Sequence, residues 1–198
     1  MTSCTRCPAL CASRTQIVYP DLPEFGRPCK VLVVGEAPGA DEDAQGKGFV
    51  GRSGRTLHRL LEEQGLQRGF DYGCANIVRC RPPENRRPTE KEMRNCFPHF
   101  AQILAKARPQ AVLAVGETAI RAITGIRGLN ENLLALRGSG WRPKVRWNAD
   151  FGAWPDGCLL FPMPHTSPLA WNRNAPDGRK WSAIGSEQVR LLAQVGLT

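Results

Sequence analysis

The chain predicts an α/β fold: a three-layer α/β/α sandwich whose central sheet has four strands and is mostly parallel. Three observations carry this expectation. Short apolar runs recur four times, stretches of helical periodicity separate them, and glycine or proline punctuates the joins. Strands alternating with helices need crossover connections, which pair strands in parallel and lay helices on both faces of the sheet. At 198 residues the chain can bury a sizeable core without staples, so residues 1–198 are expected to form a single domain.

The first run, Lys30-Val31-Leu32-Val33-Val34, is almost wholly apolar and stops at Gly35, as a strand buried on both faces does. A glycine-rich loop follows. Ser53 then opens a helix with Leu57, Leu60 and Leu61 on one side, ending near Gly65. Ala75-Asn76-Ile77-Val78 is the second expected strand. Beyond Pro82-Pro83, Thr89 and Glu92 make a capping box, and the helix they start runs towards Ala107 and stops before Pro109. A strand at 111–115, a helix from about Glu117, an irregular Gly/Trp-rich stretch, a strand at 158–161 and a helix over roughly 181–195 complete the order. In parallel sheets ligands bind beyond the carboxyl ends of the strands. Gly35-Glu36-Ala37-Pro38-Gly39, Asn76 and His165-Thr166-Ser167-Pro168-Leu169 all fall there, so one crevice is expected to collect them.

Composition narrows the partners. The net charge is +9 and the pI about 9.5, which favours a polyanion, with nucleic acid first, because cations displace condensed counterions from phosphates. Arg79, Arg81, Arg86, Arg87, Lys91 and Arg94 crowd one segment, and Trp141-Arg142-Pro143-Lys144-Val145-Arg146-Trp147 interleaves rings with cations, as strand-tracking surfaces do. The sequence has no apolar run of 18 residues and no hydrophobic core near its start, so a cytoplasmic protein without membrane contact, acting as a monomer, is expected. Eight cysteines in such a chain point to metal ligation or reduced thiols before disulfides.

Individual residues carry the chemistry. Glycines at 35 and 39 let the backbone turn and approach a ligand. Asn76 is a polar residue in an apolar strand, and its amide needs partners if buried. The pair Cys4-x2-Cys7 suits a metal, with zinc and an iron-sulfur cluster both open from spacing alone. Neither His58 nor His99 sits in a context that suggests function.

Gly35-Glu36-Ala37-Pro38-Gly39, its extension through Glu42-Asp43 to Gly46, Gly48, Phe49, Val50 and Gly51, and His165-Thr166-Ser167-Pro168-Leu169 resemble the two motifs of the uracil-DNA glycosylase superfamily. Cys4, Cys7, Cys80 and Cys96, with Arg14-Thr15, Arg79-Cys80-Arg81-Pro82-Pro83 and Asn85-Arg86, resemble its iron-sulfur branch, family 4. The second motif looks more like the HPSPL of the classical enzymes, with Thr166 in place of the first proline.

The resemblance implies a monofunctional glycosylase that flips uracil out of DNA and starts base excision repair, with a [4Fe-4S] cluster on the four cysteines. It implies that Glu36 or Glu42 stabilises the sugar cation and handles the water, and that His165 donates to uracil O2. Ala37 and Gly39 would line the base pocket and Phe49 would stack on the base. Asn76 would read uracil by offering a carbonyl and an NH2 together, a pattern that cytosine inverts. Ser167, Arg173 and Arg86 would hold DNA, while Leu169 fills the gap left by the flipped nucleotide. Two alternatives remain: a non-catalytic or product-trapping DNA-binding module on this scaffold, and a glycosylase for another deaminated base such as hypoxanthine.

Overall fold

A computed structural model of the chain describes residues 4–24, 27, 29–145 and 154–196. Four strands form one sheet in the order β2-β1-β3-β4: β1 is Val31–Gly35, β2 Tyr72–Asn76, β3 Ala111–Val115 and β4 Leu159–Met163. Every pairing is parallel.

Alternate residues of each strand feed two apolar layers. Leu32, Val34, Val112, Ala114 and Leu160 pack with Phe100, Ile103 and Leu104 of α4 (Glu90–Ala107) and with Ala119, Ile120 and Ile123 of α5 (Glu117–Thr124). On the other face Val31, Val33, Tyr72, Leu113 and Phe161 pack with Leu57 and Leu61 of α3 (Arg52–Glu62) and with Val189 and Leu192 of α8 (Trp181–Gly196). The three-layer expectation therefore holds. Pro162 sits inside β4 without breaking the ladder, because β4 is an edge strand and a missing N–H is tolerated there.

The second strand lies three residues earlier than the sequence suggested. Its Gly73 looked like a breaker, but the glycine permits a close approach: a Cβ there would come within 2.7 Å of the Asp21 carbonyl. Asp21 and Cys74 exchange backbone hydrogen bonds of 2.9 and 2.7 Å along this edge of the sheet. Short helices also escaped the sequence reading, namely α1 (Pro8–Ser13), α2 (Ala40–Gln45), α6 (Leu129–Gly138) and α7 (Pro168–Trp171). Within the stretch expected to track DNA, Trp141 instead stacks on Phe161 at 4.9 Å, and residues 146–147 lie outside those described. Among the described residues no helix is long and apolar enough to cross a membrane.

The capping box forms as expected, with Glu92 N donating to Thr89 Oγ1 and Thr89 N to Glu92 Oε2. Glu92 also receives both terminal nitrogens of Arg86, at 2.8 and 2.7 Å. That pairing, more than the cap itself, holds the Glu92 carboxyl down at about 2, against an ordinary 4.5. A folded value below the unfolded one means that this stabilisation is complete above about pH 4.5 and fades as pH falls towards about 2. Urea unfolding followed across that window should show wild-type stability falling more steeply than that of Glu92→Gln.

Candidate active site

A cleft of about 750 Å³ opens beyond the carboxyl ends of the strands. Glu36, Ala37, Gly39, Glu42, Phe49, Asn76, Arg86, His165, Ser167, Leu169 and Arg173 all line it. Register explains the convergence. Gly35, the last residue of β1, pairs with Asn76, the last of β2, while Val115 pairs with Met163 two residues before His165.

The two glutamates differ in what they hold. Glu42 in α2 accepts from the amide of Gly39 through Oε2 at 3.0 Å, and from those of Val50 and Gly51 through Oε1 at 3.0 and 2.8 Å. Its carboxylate thereby fixes both ends of the loop. Glu36 is half-buried and, among the described residues, its carboxylate makes no hydrogen bond or ion pair. The neighbouring Asp43 is buried and accepts from the amides of Thr15 and Gln16.

Phe49 adopts a left-handed backbone, φ +60°, a conformation that costs an ordinary side chain about 1–2 kcal/mol. Its ring lies against the sheet end, where a Cβ on Gly35 would come within 2.8 Å of Phe49 Cζ and 2.5 Å of Asn76 Oδ1. Gly54 must likewise lack a side chain, since a Cβ there would run into the Phe49 carbonyl. Asn76 is only 9% exposed, and among the described residues its amide has no hydrogen-bond partner. Its side chain lines the open cleft, where the amide can offer both a donor and an acceptor.

His165 accepts from the amide of Ser167 at Nδ1, 3.1 Å, so in the neutral ring the proton resides on Nε2. The side chain is exposed to the cleft, yet the protein packed around the ring lowers its pKa below the ordinary value, against the opposing pull of Glu36 and Glu42. Thr166 is buried and donates its hydroxyl to the Ser53 carbonyl at 2.7 Å, tying this loop to the start of α3. Leu169 stands 71% exposed at the mouth.

The cysteines expected to hold metal gather in one corner. Cys7, Cys80 and Cys96 are buried in one apolar layer, and Cys4 lies near enough to Cys80 to affect its charge, as Cys7 does for Cys96. Arg14 Nη1 donates to Cys80 Sγ at 2.9 Å and Asn95 Nδ2 to Cys7 Sγ at 3.3 Å. Arg79 Nε and His99 Nε2, close by in sequence, are buried without hydrogen-bond partners among the described residues. Among the described residues no group of three or more His, Cys, Asp or Glu is arranged to hold a metal ion. Cys29, Cys74 and Cys158 behave as small buried hydrophobes, burial pushing their thiols up to about 11, about 12 and about 12.

Comparison with known proteins agrees with this geometry. Residues 23–184 match the model of the uracil DNA glycosylase superfamily. The chain belongs to that superfamily. It is 34% identical over 171 residues to a type-4 uracil-DNA glycosylase of Thermotoga maritima, covering 86% of this chain and 80% of the relative. With one of Sulfurisphaera tokodaii it shares 31% over 196 residues, 96% of this chain and 80% of the relative. With one of Pyrobaculum aerophilum it shares 36% over 116 residues, 58% of this chain and 59% of the relative. These relatives place this superfamily member with the type-4 proteins.

Sequence reasoning missed part of the cleft wall. Arg52, Ser53, Glu117 and Thr118 also line it, and Glu117 lies 3.7 Å from Arg87. Position after a strand end was the available signal for Glu117, which lies two residues beyond the end of β3. Arg86, expected on DNA, lines the cleft but has its terminal nitrogens on Glu92. Replacing Thr166 by valine should lower the unfolding free energy by about 1–2 kcal/mol in urea, through the orphaned Ser53 carbonyl, whereas Ser167→Ala should change it by less than about 0.5 kcal/mol.

Proposed function

We propose that this protein is a monofunctional uracil-DNA glycosylase, hydrolysing the bond between uracil N1 and deoxyribose C1′ after the nucleotide is turned out of DNA, and so initiating base excision repair. One observation carries the reading: a single cleft holds the left-handed Phe49, a His165 whose pKa is lowered and whose Nδ1 accepts from Ser167, and an Asn76 amide and a Glu36 carboxylate that have no hydrogen-bond partner among the described residues.

Each group has a task that its surroundings suit. The Phe49 ring stacks on the extruded base and replaces the stack it left. Asn76 pairs with uracil N3–H through its carbonyl and with O4 through its NH2, rejecting cytosine. As the C1′–N1 bond breaks, positive charge grows on the sugar and negative charge on uracil. Glu36 stabilises the first and takes a proton from the water that adds at C1′, while Nε2–H of His165 donates to O2 of the departing anion. Glu42, its oxygens committed to three amides, shapes the loop. The backbone of Ala37 and Gly39 closes the pocket against the base.

Outside the pocket, Ser167 and Arg173 hold phosphates, joined by Arg52 and by the exposed part of Arg86. Leu169 enters the space vacated in the duplex, as the likeness of His165-Thr166-Ser167-Pro168-Leu169 to the classical HPSPL segment suggests. Cys4, Cys7, Cys80 and Cys96 would hold a [4Fe-4S] cluster. Four thiols with N–H donors on two of them suit such a group, and when bound it supplies a brace between the N-terminal segment and α4.

Incubation with a single-uracil oligonucleotide should leave an alkali-labile abasic site, and no cleavage would overturn the reading. Glu36→Gln should slow excision on the order of 10²-fold and His165→Ala by about 3 kcal/mol, with Asn76→Asp losing on the order of 2 to 4 kcal/mol. Leu169→Ala should impair duplex substrates more than single strands, which leave no gap to fill.

Purified protein should be brown, with broad absorbance near about 400 nm, and Cys80→Ser or Cys96→Ser should be colourless and unstable. Stoichiometric zinc without iron would overturn the cluster.

A further inference from the structure

Three consecutive carbonyls around Phe49 are each met by a side chain, two by arginine donors and the middle one by the imidazole of His58. Arg68 Nη2 lies 2.6 Å from Gly48 O, His58 Nε2 3.0 Å from Phe49 O, and Arg55 Nη1 2.9 Å from Val50 O. Glu42 takes the amides of Val50 and Gly51 on the other side. A left-handed phenylalanine persists only where its surroundings hold it there, and this clamp does so.

His58 is the member that touches Phe49 twice. Besides the carbonyl contact, its ring meets the Phe49 ring edge-on, centroids 6.5 Å apart at 63°. Its far side is tied to the sheet: Nδ1 lies 2.8 Å from the hydroxyl of Tyr72, whose fully buried ring stacks on the imidazole at 5.9 Å. Tyr72 belongs to β2, four residues before Asn76. A continuous contact path thus runs from the strand that carries the base-reading amide to the ring that stacks on the base.

The imidazole has two neutral forms, and they act differently on Phe49. With the proton on Nε2 it donates to Phe49 O and accepts the Tyr72 hydroxyl at Nδ1, while Arg68 Nη1, which can only donate, faces the same ring nitrogen at 2.8 Å. With the proton on Nδ1 it donates to Tyr72 and accepts from Arg68 Nη1, 2.8 Å away, leaving the Phe49 carbonyl without the ring's donor. Burial and the adjacent Arg68, itself bonded to Asp21 at 2.8 Å, disfavour the charged ring.

We propose that His58, braced by Tyr72, is a positioning residue that holds Phe49 in its left-handed, base-stacking conformation. The inference rests on the proposed uracil excision and assigns His58 no contact with the substrate.

A double-mutant cycle on the full-length protein tests it, using single-turnover excision from a single-uracil oligonucleotide and the affinity of each variant for the same DNA carrying a non-hydrolysable 2′-fluoro deoxyuridine. His58→Ala should slow excision about tenfold on single-strand and duplex substrates alike, with DNA affinity changed less than twofold. The double variant His58→Ala/Phe49→Ala should be no slower than Phe49→Ala alone. Effects that multiply in the double variant, or a loss confined to DNA affinity, would overturn the positioning role. If His58→Ala does not fold, Tyr72→Phe, which removes one oxygen, should give a drop of about threefold with the same non-additivity, and its absence overturns the proposal. An inactive wild-type protein overturns the proposed function, and the inference with it; an active one showing multiplicative effects overturns the inference alone.

Discussion

The parallel register of the sheet is the constraint on which the rest of the molecule depends. Because Gly35 pairs with Asn76 and Val115 with Met163, the chain leaves all four strands at one edge. The ladder even outruns the strands: Ile77 and Val78 bond back to Gly35 and Glu36, and Gly116 donates to Met163 O at 2.7 Å. Gly116 lies directly against His165, where a Cβ would come within 3.6 Å of the histidine's own. A one-residue slip of β2 would turn Asn76 to the opposite face and bury its amide in apolar packing. The amide's position is therefore set by burial of Tyr72 and Cys74 on the same face of β2.

A second layer of control comes from carboxylates that take backbone amides. Glu42 closes the loop between Gly39 and Gly51, and Asp43, one residue on, ties the same helix to Thr15 and Gln16. The residue before Thr15 is Arg14, which reaches Cys80 Sγ and the Cys4 carbonyl. Four residues of chain, 14 to 16 and 43, thus connect the thiol corner to the loop that carries Glu36. A group bound at the cysteines would brace the cleft through this chain of hydrogen bonds.

How much of this was legible depended on which force shaped each part. Four strands, the helices on α3, α4, α5 and α8, and the cleft's composition followed from apolar periodicity and from where the loops fall after strands. The start of β2 did not, because its glycine meets the Asp21 backbone, a long-range contact that no local pattern reports. Short α6 was lost in a glycine-rich stretch, where Asn132 stabilises it by donating to Ile126 O and Gly128 O across the turn. His58 carried no local signal, since its role lies in partners 9, 10 and 14 residues away. The choice between Glu36 and Glu42 stayed open in sequence because both are acidic and lie in the same glycine-bearing segment after β1; only hydrogen bonding separates them.

That separation has an electrostatic consequence for the proposed reaction. Three carboxylates line a cleft meant for a polyanion, an arrangement that would repel DNA if all three charges were free. Two are compensated, Glu42 by three amides and Glu117 by Arg87 at 3.7 Å. Glu36 has no such partner among the described residues. Glu36 and Glu42 pull the His165 pKa upward, but the protein packed around the ring outweighs them and shifts it below the ordinary value, towards the neutral form. The negative charge then remains available for a sugar cation that exists only at the transition state, and a neutral donor at Nε2 still serves the departing base. Interactions that strengthen only as charge develops are the ones that accelerate a reaction. Keeping the histidine neutral beside the glutamate is therefore what lets one small cleft stabilise opposite charges a few bonds apart.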